Sequence, residues 1–444
     1  MSDLNDTTLP EPPVPTSGRG ARPTVAGVLV VFSRRASPLV PVPVTSPSAI
    51  GREPSAAIVV DDPSVSRLHA RFEPAKDGLL VADLGSHNGT FLSGTRIDGS
   101  VVAPFGSIVR VGSTIALVVA DCGALVAEGP PAAGLVGGPG LAELRTRIAA
   151  IAASPATVLV EGETGSGKEI VTRAIHEASG RAGDLVAVNC AAIASELVES
   201  ELFGHSRGAF SGSQGARAGL FRAADRGTLL LDEIGELKSG VQAKLLRVLE
   251  TGEVRGVGED RGVRVDVRVV AATHRDLSQL VARGVFRSDL LHRVAAIRVR
   301  VPPLRDHVED IPCLCEFFLR EQTMELAAPA LESLLLRDWP GNVRELRNVV
   351  LAAAAIARYD GRKIIGPHDI DDAQLSVTPD VDVDTHAGTS ASAEDESARA
   401  RIVAALEACD GNVTRAATQL SMSRSVLYET IRRLRIDARA HRRR

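Results

Sequence analysis

Aromatic residues are scarce in this 444-residue chain, at 3%, so any core it builds is aliphatic. Cysteine is scarce as well. Cys122, Cys190, Cys313, Cys315 and Cys409 make an odd set whose one close pair is C-x-C. That spacing matches no zinc site and suggests no disulfide framework. There is no apolar run of about 18 residues and no basic-then-apolar N-terminus, so neither a spanning helix nor a secretory leader is expected. The net charge of −4 rules out global attraction to nucleic acid, and any basic site must be local. No internal repeat is found. The expectation is a reduced, soluble, cytoplasmic protein.

What is present reads as several domains, with 44% hydrophobic and 24% charged residues as in ordinary globular proteins. Residues 1–24 are rich in Pro, Ser, Thr and Gly without a periodic apolar face, and a disordered tail is expected there. Over 25–121, runs such as "AGVLVVF", "LHARFE", "LLVADL" and "IALVVA" alternate with turn residues, the pattern of a β-sandwich. A linker follows over 122–140. Over 141–300 helical patterns alternate with buried strand-like runs, which predicts a parallel α/β domain, and 301–367 reads as a helical lid. Residues 364–398 hold nine acids and no Lys or Arg, so a flexible acidic linker is expected over 368–398. Residues 399–444 reverse the balance, with eleven arginines against four acids.

"GETGSGKE" at 162–169 follows an apolar strand and opens a helical pattern, the setting of a P-loop. Nucleotide contacts are therefore assigned to Gly162, Glu163, Thr164, Gly165, Ser166, Gly167, Lys168 and Glu169. Backbone amides of Gly165–Lys168 would surround phosphate oxygens, and Lys168 would reach the terminal phosphates. Glu169 departs from the generic motif, which has a Mg2+-binding Ser or Thr there. "GTLLLDEIGEL" at 227–237 ends a strand on two carboxylates. Asp232 is suited to hold Mg2+ and Glu233 to polarise the attacking water.

The ordered set "GETGSGKE", "VNCAAI", "ESELFGH", "GTLLLDEIGEL", "VRVVAATHRDL", "FRSDLLHRV", "VPPLRDHVEDI" and "DWPGNVRELRN" resembles the bacterial enhancer-binding proteins, AAA+ activators of sigma-54 RNA polymerase, over about 141–367. The resemblance implies ATP and Mg2+ as cofactors and a ring oligomer, usually a hexamer. It makes Asn189 the switch residue that restrains Glu233. Thr273 corresponds to sensor I, with His274 in place of the commoner Asn beside it, and Arg344 to sensor II. Arg287 and Arg293 correspond to arginine fingers that complete a neighbour's ATP site. "GAFSGS" (Gly208, Ala209, Phe210, Ser211, Gly212, Ser213) aligns with the family's GAFTGA loop, which touches sigma-54. Ser211 stands for Thr and Ser213 for Ala. The methyl missing at Ser211 removes about 1 kcal/mol of contact energy.

"GR" at 51–52, "SRLH" at 66–69 and "GSHNGT" at 85–90 together resemble the forkhead-associated (FHA) domain, whose family binds phosphothreonine. Arg52, Ser66, Arg67, Ser86 and Asn88 are the phosphopeptide candidates, with His69 bracing the loop. The peptide can come from a partner or from the chain's own Thr-bearing tail. At 410–436 two short helical patterns joined by a turn resemble the Fis-type helix-turn-helix. Ser425, Tyr428 and Glu429 would face base edges, while Arg424 and Arg432 neutralise phosphates of upstream DNA. The leading reading is an ATP-driven activator of sigma-54 RNA polymerase. The alternatives are a DNA-bound phospho-dependent scaffold or repressor that does not engage sigma-54, and an AAA+ remodeller of another substrate.

Overall fold

Alternation along the first apolar run explains the N-terminal architecture. In strand β1 (Gly27–Phe32) every residue is buried, because both faces are covered. Val28 and Val30 point between two sheets with Ile50, Phe72 and Val81. Leu29 and Val31 point the other way and join a second core. The computed structural model that carries these observations describes residues 24–34, 38–125, 132, 134–194, 196–206, 217–377 and 393–408, with positions 420 and 430.

The remaining sandwich strands are β2 (Val40–Pro43), β3 (Ser48–Gly51), β4 (Ile58–Val59), β5 (Ala70–Ala75), β6 (Gly78–Asp83), β7 (Thr90–Leu92), β8 (Thr95–Arg96), β9 (Ser100–Pro104), β10 (Ile108–Val111) and β11 (Thr114–Val119). They form sheets of order β2-β1-β11-β10-β7-β8 and β4-β3-β5-β6-β9, as the sequence led us to expect. In the second sheet β5 alternates buried and open positions, the mark of one covered face.

The α/β domain begins with α1 (Ala142–Ile151), β12 (Val158–Glu161), α2 (Lys168–Ser179), β13 (Leu185–Asn189), α3 (Val198–Phe203) and α4 (Leu220–Ala223). It continues with β14 (Thr228–Asp232), α5 (Ser239–Thr251), the hairpin β15 (Glu253–Val254) and β16 (Val263–Arg264), then β17 (Arg268–Thr273), α6 (Leu277–Ala282), α7 (Ser288–Val294) and β18 (Ile297–Arg300). Five strands form a parallel sheet of order β13-β14-β17-β12-β18. Its strands are near-continuously apolar because helices cover both faces: Leu159 and Ala271 belong to one core, Val158, Val160 and Ala272 to the other. The chain leaves the sheet interior after β12, so the crevice at that strand's C-terminal end is where ligands of such sheets bind.

The lid consists of α8 (Ile311–Leu319), β19 (Glu325–Leu326), α9 (Ala328–Leu335), α10 (Asn342–Tyr359), β20 (Ile364–Ile365) and α11 (Pro367–Val377). Here the expected linker is corrected: its first ten residues are helix α11. Ile370 and Ala373 are fully buried in the lid core. The acids that read as a solvated run are taken up by lid arginines. Arg362 donates to both oxygens of Asp369 (2.6 and 2.7 Å), and Arg337 pairs with Asp371 at 2.8 Å.

The outer face of the sandwich packs on this lid. Leu29, Val31, Ile115 and Leu117 share one core with Leu331, Leu334 and Trp339. Arg110 of β10 donates to Glu332 of α9 at 2.6 Å, and Gly94 N–H donates to the other Glu332 oxygen at 2.8 Å. The pair is shielded, with Arg110 12% and Glu332 4% exposed. The residues from Pro379 onward form a separate unit. There α12 (Ala393–Ala408), which starts ahead of the expected 399, buries Ile402, Ala405 and Leu406. No helix among the described residues is long and apolar enough to cross a membrane.

Candidate nucleotide and phosphopeptide sites

The P-loop turns sharply between β12 and α2, with Gly165 and Gly167 at left-handed φ of 77° and 102°. A side chain at Gly165 would come within 2.2 Å of the Gly341 carbonyl, so the lid's approach itself requires glycine. The amides opening α2 face the crevice, as a phosphate cradle requires. Lys168 Nζ is buried beneath the loop, donating to the carbonyls of Gly162 (3.0 Å) and Glu163 (3.3 Å). It lies 3.8 Å from Glu233 Oε1.

Asp232 ends β14 at the sheet's edge. Burial raises its carboxyl pKa, the neighbouring Glu233 charge adds to this, and Lys168 opposes it. Behind it the Cys190 thiol is pushed up to about 12 by burial and by the same two carboxylates, so it stays protonated. Asn189 does not reach Glu233, contrary to expectation. Asn189 and Asp232 are register partners on β13 and β14, and the Asn189 amide donates to Asp232 at 3.3 Å. Glu233 sits one residue past the strand in a left-handed conformation (φ 53°, ψ 48°), which turns it toward the end of β17. There His274 Nδ1 lies 2.8 Å from Glu233 Oε2. Thr273 is buried, its hydroxyl accepting from Arg275 N–H and its carbonyl accepting from Gly162 N–H.

Glu163 of the loop is held by the lid. Its carboxylate turns away from the cradle and receives both Arg305 nitrogens (2.6 and 2.9 Å) and the Asn342 amide (3.1 Å). These donors, Arg305 first, hold its pKa down to about 2. Asn342 also donates to Thr164 O, and Ser166 donates to Glu163 O. Arg344, in the first turn of α10, donates its N–H to Gly165 O at 3.3 Å and leaves its side chain exposed beside the loop. Arg305, Asn342 and His274 were not among the expected site residues, although their segments lie in the family motifs; Asn342 takes a left-handed φ of 53°. Glu169 is exposed and pairs loosely with Arg173 at 3.9 Å.

The donor set fits ATP with Mg2+. Paired, partly buried carboxylates beside a phosphate cradle suit a hard cation held by one or two carboxylates plus phosphates. Arg287, at the N-cap of α7, and Arg293 within α7 both hold partners in this chain. Arg287 forks onto Asp289 (2.7 and 3.0 Å), and Arg293 donates twice to Leu249 O.

On the sandwich, buried His69 fixes the recognition loops. Its Nδ1 accepts from Ser66 N–H at 3.0 Å, which leaves Nε2–H to donate to Gly89 O at 3.2 Å. Ser66 Oγ accepts from His87 N–H, and Asn88 donates to Ser64 O at 2.7 Å. The Ser86 hydroxyl donates to Asp83 at 2.6 Å, so that proton is engaged within the loop and Ser86 acts as a brace. Arg52 and Arg67 are exposed on adjoining loops, joined through the Arg52 N–H to Ser66 O bond.

Four family models match in order: FHA domain (49–112), sigma-54 interaction domain (136–300), AAA+ ATPase lid domain (305–385) and bacterial regulatory protein, Fis family (397–434). The anaerobic nitric oxide reductase transcription regulators NorR of Enterobacter sp. (strain 638) and Escherichia coli (strain SMS-3-5 / SECEC) are 50% and 49% identical over 228 residues. That stretch is 50% of this chain and 45% of each relative, so the chain spans less than half the length of these curated relatives. NtrX from Brucella abortus is 32% identical, with a TM-score of 0.51 over 68% of this chain and 69% of that one. The chain belongs to the bacterial enhancer-binding proteins.

Other family motifs find partial placement. The six residues "GAFSGS" at 208–213 lie outside the described residues, but the base of their loop is defined. His205 and Arg217 exchange backbone hydrogen bonds (2.9 and 3.0 Å), and Ser206 N–H donates to Val257 O. Phe203 stacks on Phe221 at 5.6 Å below this neck. The enhancer-binding family's Fis-type segment includes Arg424, Ser425, Tyr428, Glu429 and Arg432, which also lie outside the described residues.

Proposed function

We propose that this protein is an ATP-hydrolysing transcription activator that binds upstream DNA and remodels the sigma-54 RNA polymerase closed complex. The carrying observation is the convergence of Lys168, Asp232, Glu233 and the Arg344-bearing lid on one crevice at the end of β12. Lys168 exchanges its carbonyl partners for the terminal phosphates, and Glu233 accepts a proton from, or orients, the attacking water. A bound Mg2+ would be held by Asp232 and neutralise developing phosphate charge. Arg287 and Arg293 leave Asp289 and Leu249 O to reach a neighbour's site, which ties hydrolysis to assembly of a ring. Phe210 of "GAFSGS" is the apolar contact to sigma-54, and the Arg-rich C-terminal segment holds DNA. The setting is cytoplasmic.

The FHA domain supplies regulation by phosphothreonine recognition. Arg52 and Arg67 pair with the phosphate while Ser66 and Asn88 bind the peptide. The shared core of the sandwich and the lid supports this reading, because it puts the recognition loops and the P-loop in one body. Ser113, three residues beyond Arg110, donates its N–H to Ser64 Oγ at 2.8 Å, beside the Asn88 contact. In vitro transcription with sigma-54 holoenzyme at a promoter carrying this protein's binding sites tests the proposal. ATP-dependent open complex is expected. ATP hydrolysis without open complex would leave only the scaffold or other-substrate readings.

A further inference from the structure

We propose that Arg96 reads an acidic residue beside the phosphothreonine, an inference that rests on reading the sandwich loops as a phosphothreonine site. The loop that carries Ser86, Asn88 and Gly89 crosses from β6 in one sheet to β7 in the other. Arg52 follows β3 and Arg67 precedes β5, so both candidate phosphate ligands belong to the β6 side. Arg96 ends β8, on the β7 side. Its strand partner is Phe91, the ring on which Arg110 stacks, and cross-strand partners share a face.

Gly89 shows where the Arg96 guanidinium lies. That glycine is buried, takes a left-handed φ of 76°, and its carbonyl accepts from His69 Nε2 beneath it. A side chain there would meet Arg96 Nε at 2.6 Å and Cζ at 2.9 Å. The guanidinium therefore rests on the backbone of Gly89, next to Asn88, and only glycine leaves it that seat. Arg96 is exposed and makes no hydrogen bond or ion pair among the described residues. An unpaired fork held against the recognition loop can take a carboxylate with two parallel bonds. Packed sheets lie about 10 Å apart, so Arg96 stands off from the pair that takes the phosphate. Its ligand is a second acidic group on the same peptide, a few residues along. Two arginines for phosphate and a separate one for carboxylate select acidic phosphothreonine segments over basic ones.

Fluorescence anisotropy with the full chain tests this, using phosphothreonine peptides that are otherwise uncharged and carry a glutamate at each flanking position in turn. At the matching position glutamate is expected to tighten binding about fivefold over glutamine, and Arg96→Ala to remove that gain. Glutamine peptides should bind Arg96→Ala within about twofold of wild type. Arg96→Glu should reverse the preference and favour lysine at that position. Thermal melting should not shift, since Arg96 is on the surface. A peptide of residues 3–16 with phosphate on Thr8 carries Asp6 and Glu11 on either side of it. Acid-dependent binding of that peptide, lost with Arg96→Ala, makes the chain's own tail the ligand; acid dependence in the designed peptides alone makes the ligand a partner's segment. A missing glutamate preference, or one that survives Arg96→Ala, overturns the inference alone. Equal affinity for phosphorylated and unmodified peptides overturns the phosphothreonine reading and this inference with it.

Discussion

At the nucleotide loop the charged groups already hold protein partners, Lys168 on two carbonyls and Glu163 on Arg305 and Asn342, and away from the loop the candidate fingers are held as well, Arg287 on Asp289 and Arg293 on Leu249 O. At the phosphopeptide loops the order is reversed. The backbone is fixed by His69, Asp83 and Ser64, while the Arg52 and Arg67 guanidinium groups are exposed and make no ion pair among the described residues. Under the proposed function both regions take phosphate, one by exchanging partners and the other by adding a ligand to a finished surface. Exchange moves the groups that are displaced, so under the proposed function nucleotide occupancy would be felt in the lid. Addition moves little, and its effect must travel through a rigid connection such as β10 and its Arg110–Glu332 contact.

The largest effect that separates the two sites comes from Glu233→Gln. Turnover should fall about a thousandfold with nucleotide affinity within about twofold, as loss of a general base predicts. Phosphopeptide binding should be untouched. A nucleotide titration by calorimetry beside a coupled ATPase assay checks both halves. Retained turnover would remove Glu233 from the mechanism.

Next in size is the connection itself. Glu332→Ala leaves Arg110 shielded without its carboxylate, and about 3 kcal/mol of stability should be lost. Trp339 is the single tryptophan and lies in the shared core, so its fluorescence during urea unfolding reports on this junction. The paired change Arg110→Met with Glu332→Leu should recover most of that stability, because apolar replacements of similar volume tolerate such a site. If phosphopeptide alters ATPase rate in the wild type, the paired variant should weaken the coupling while both ligands still bind. Undiminished coupling would show that β10 is not the route.

Much of this was legible in advance, for reasons that differ by element. The P-loop and the acidic end of β14 are local: strand, turn and helix follow one another, and their chemistry is written in neighbouring residues. The docking of sandwich on lid left a signal that the sandwich reading did not use. "GVLVVF" and "IALVV" run without a polar residue, whereas a sheet with one open face alternates as β5 does over Ala70–Glu73. Helix α11 was hidden because its acids have partners, Arg362 and Arg337, that lie outside the acidic run. The pairing of Asn189 with Asp232 follows from strand register, whereas the left-handed turn that carries Glu233 to His274 is set by backbone geometry that no spacing rule gives.

Arg52→Ala sharpens the other side of the comparison. Loss of one charge-assisted phosphate contact should weaken phosphothreonine-peptide binding about tenfold to thirtyfold, or about 2 kcal/mol. Because nothing in the protein must let go of Arg52, binding should also weaken steeply with salt and show little change in the loops. Fluorescence anisotropy with phosphorylated and unmodified peptides at two ionic strengths provides the measurement. Equal affinity for both peptides would end the phosphothreonine reading.

The smallest effect tests whether the lid contact at Glu163 is a real restraint. Its carboxyl is held near pH 2 in the folded chain against an ordinary value of 4.5, chiefly by Arg305 and then by Asn342. A depressed carboxyl stabilises the fold above its unfolded value and loses that contribution as pH falls through the folded one. The Glu163 contribution is therefore complete above about pH 4.5 and disappears between there and about pH 2. Since Glu163 and Arg305 are both close to half exposed, the contribution is small, and the difference between variants is more telling than either melt alone. Glu163→Gln should be less stable than wild type near neutrality and converge with it at the acid end of that window, as followed by Trp339 fluorescence. A constant gap between the two across the window would mean that the Arg305 and Asn342 contacts do not favour the charged carboxylate, and the lid would then rest on the P-loop through Gly165, Gly341, Arg344 and the Asn342 bond to Thr164 O.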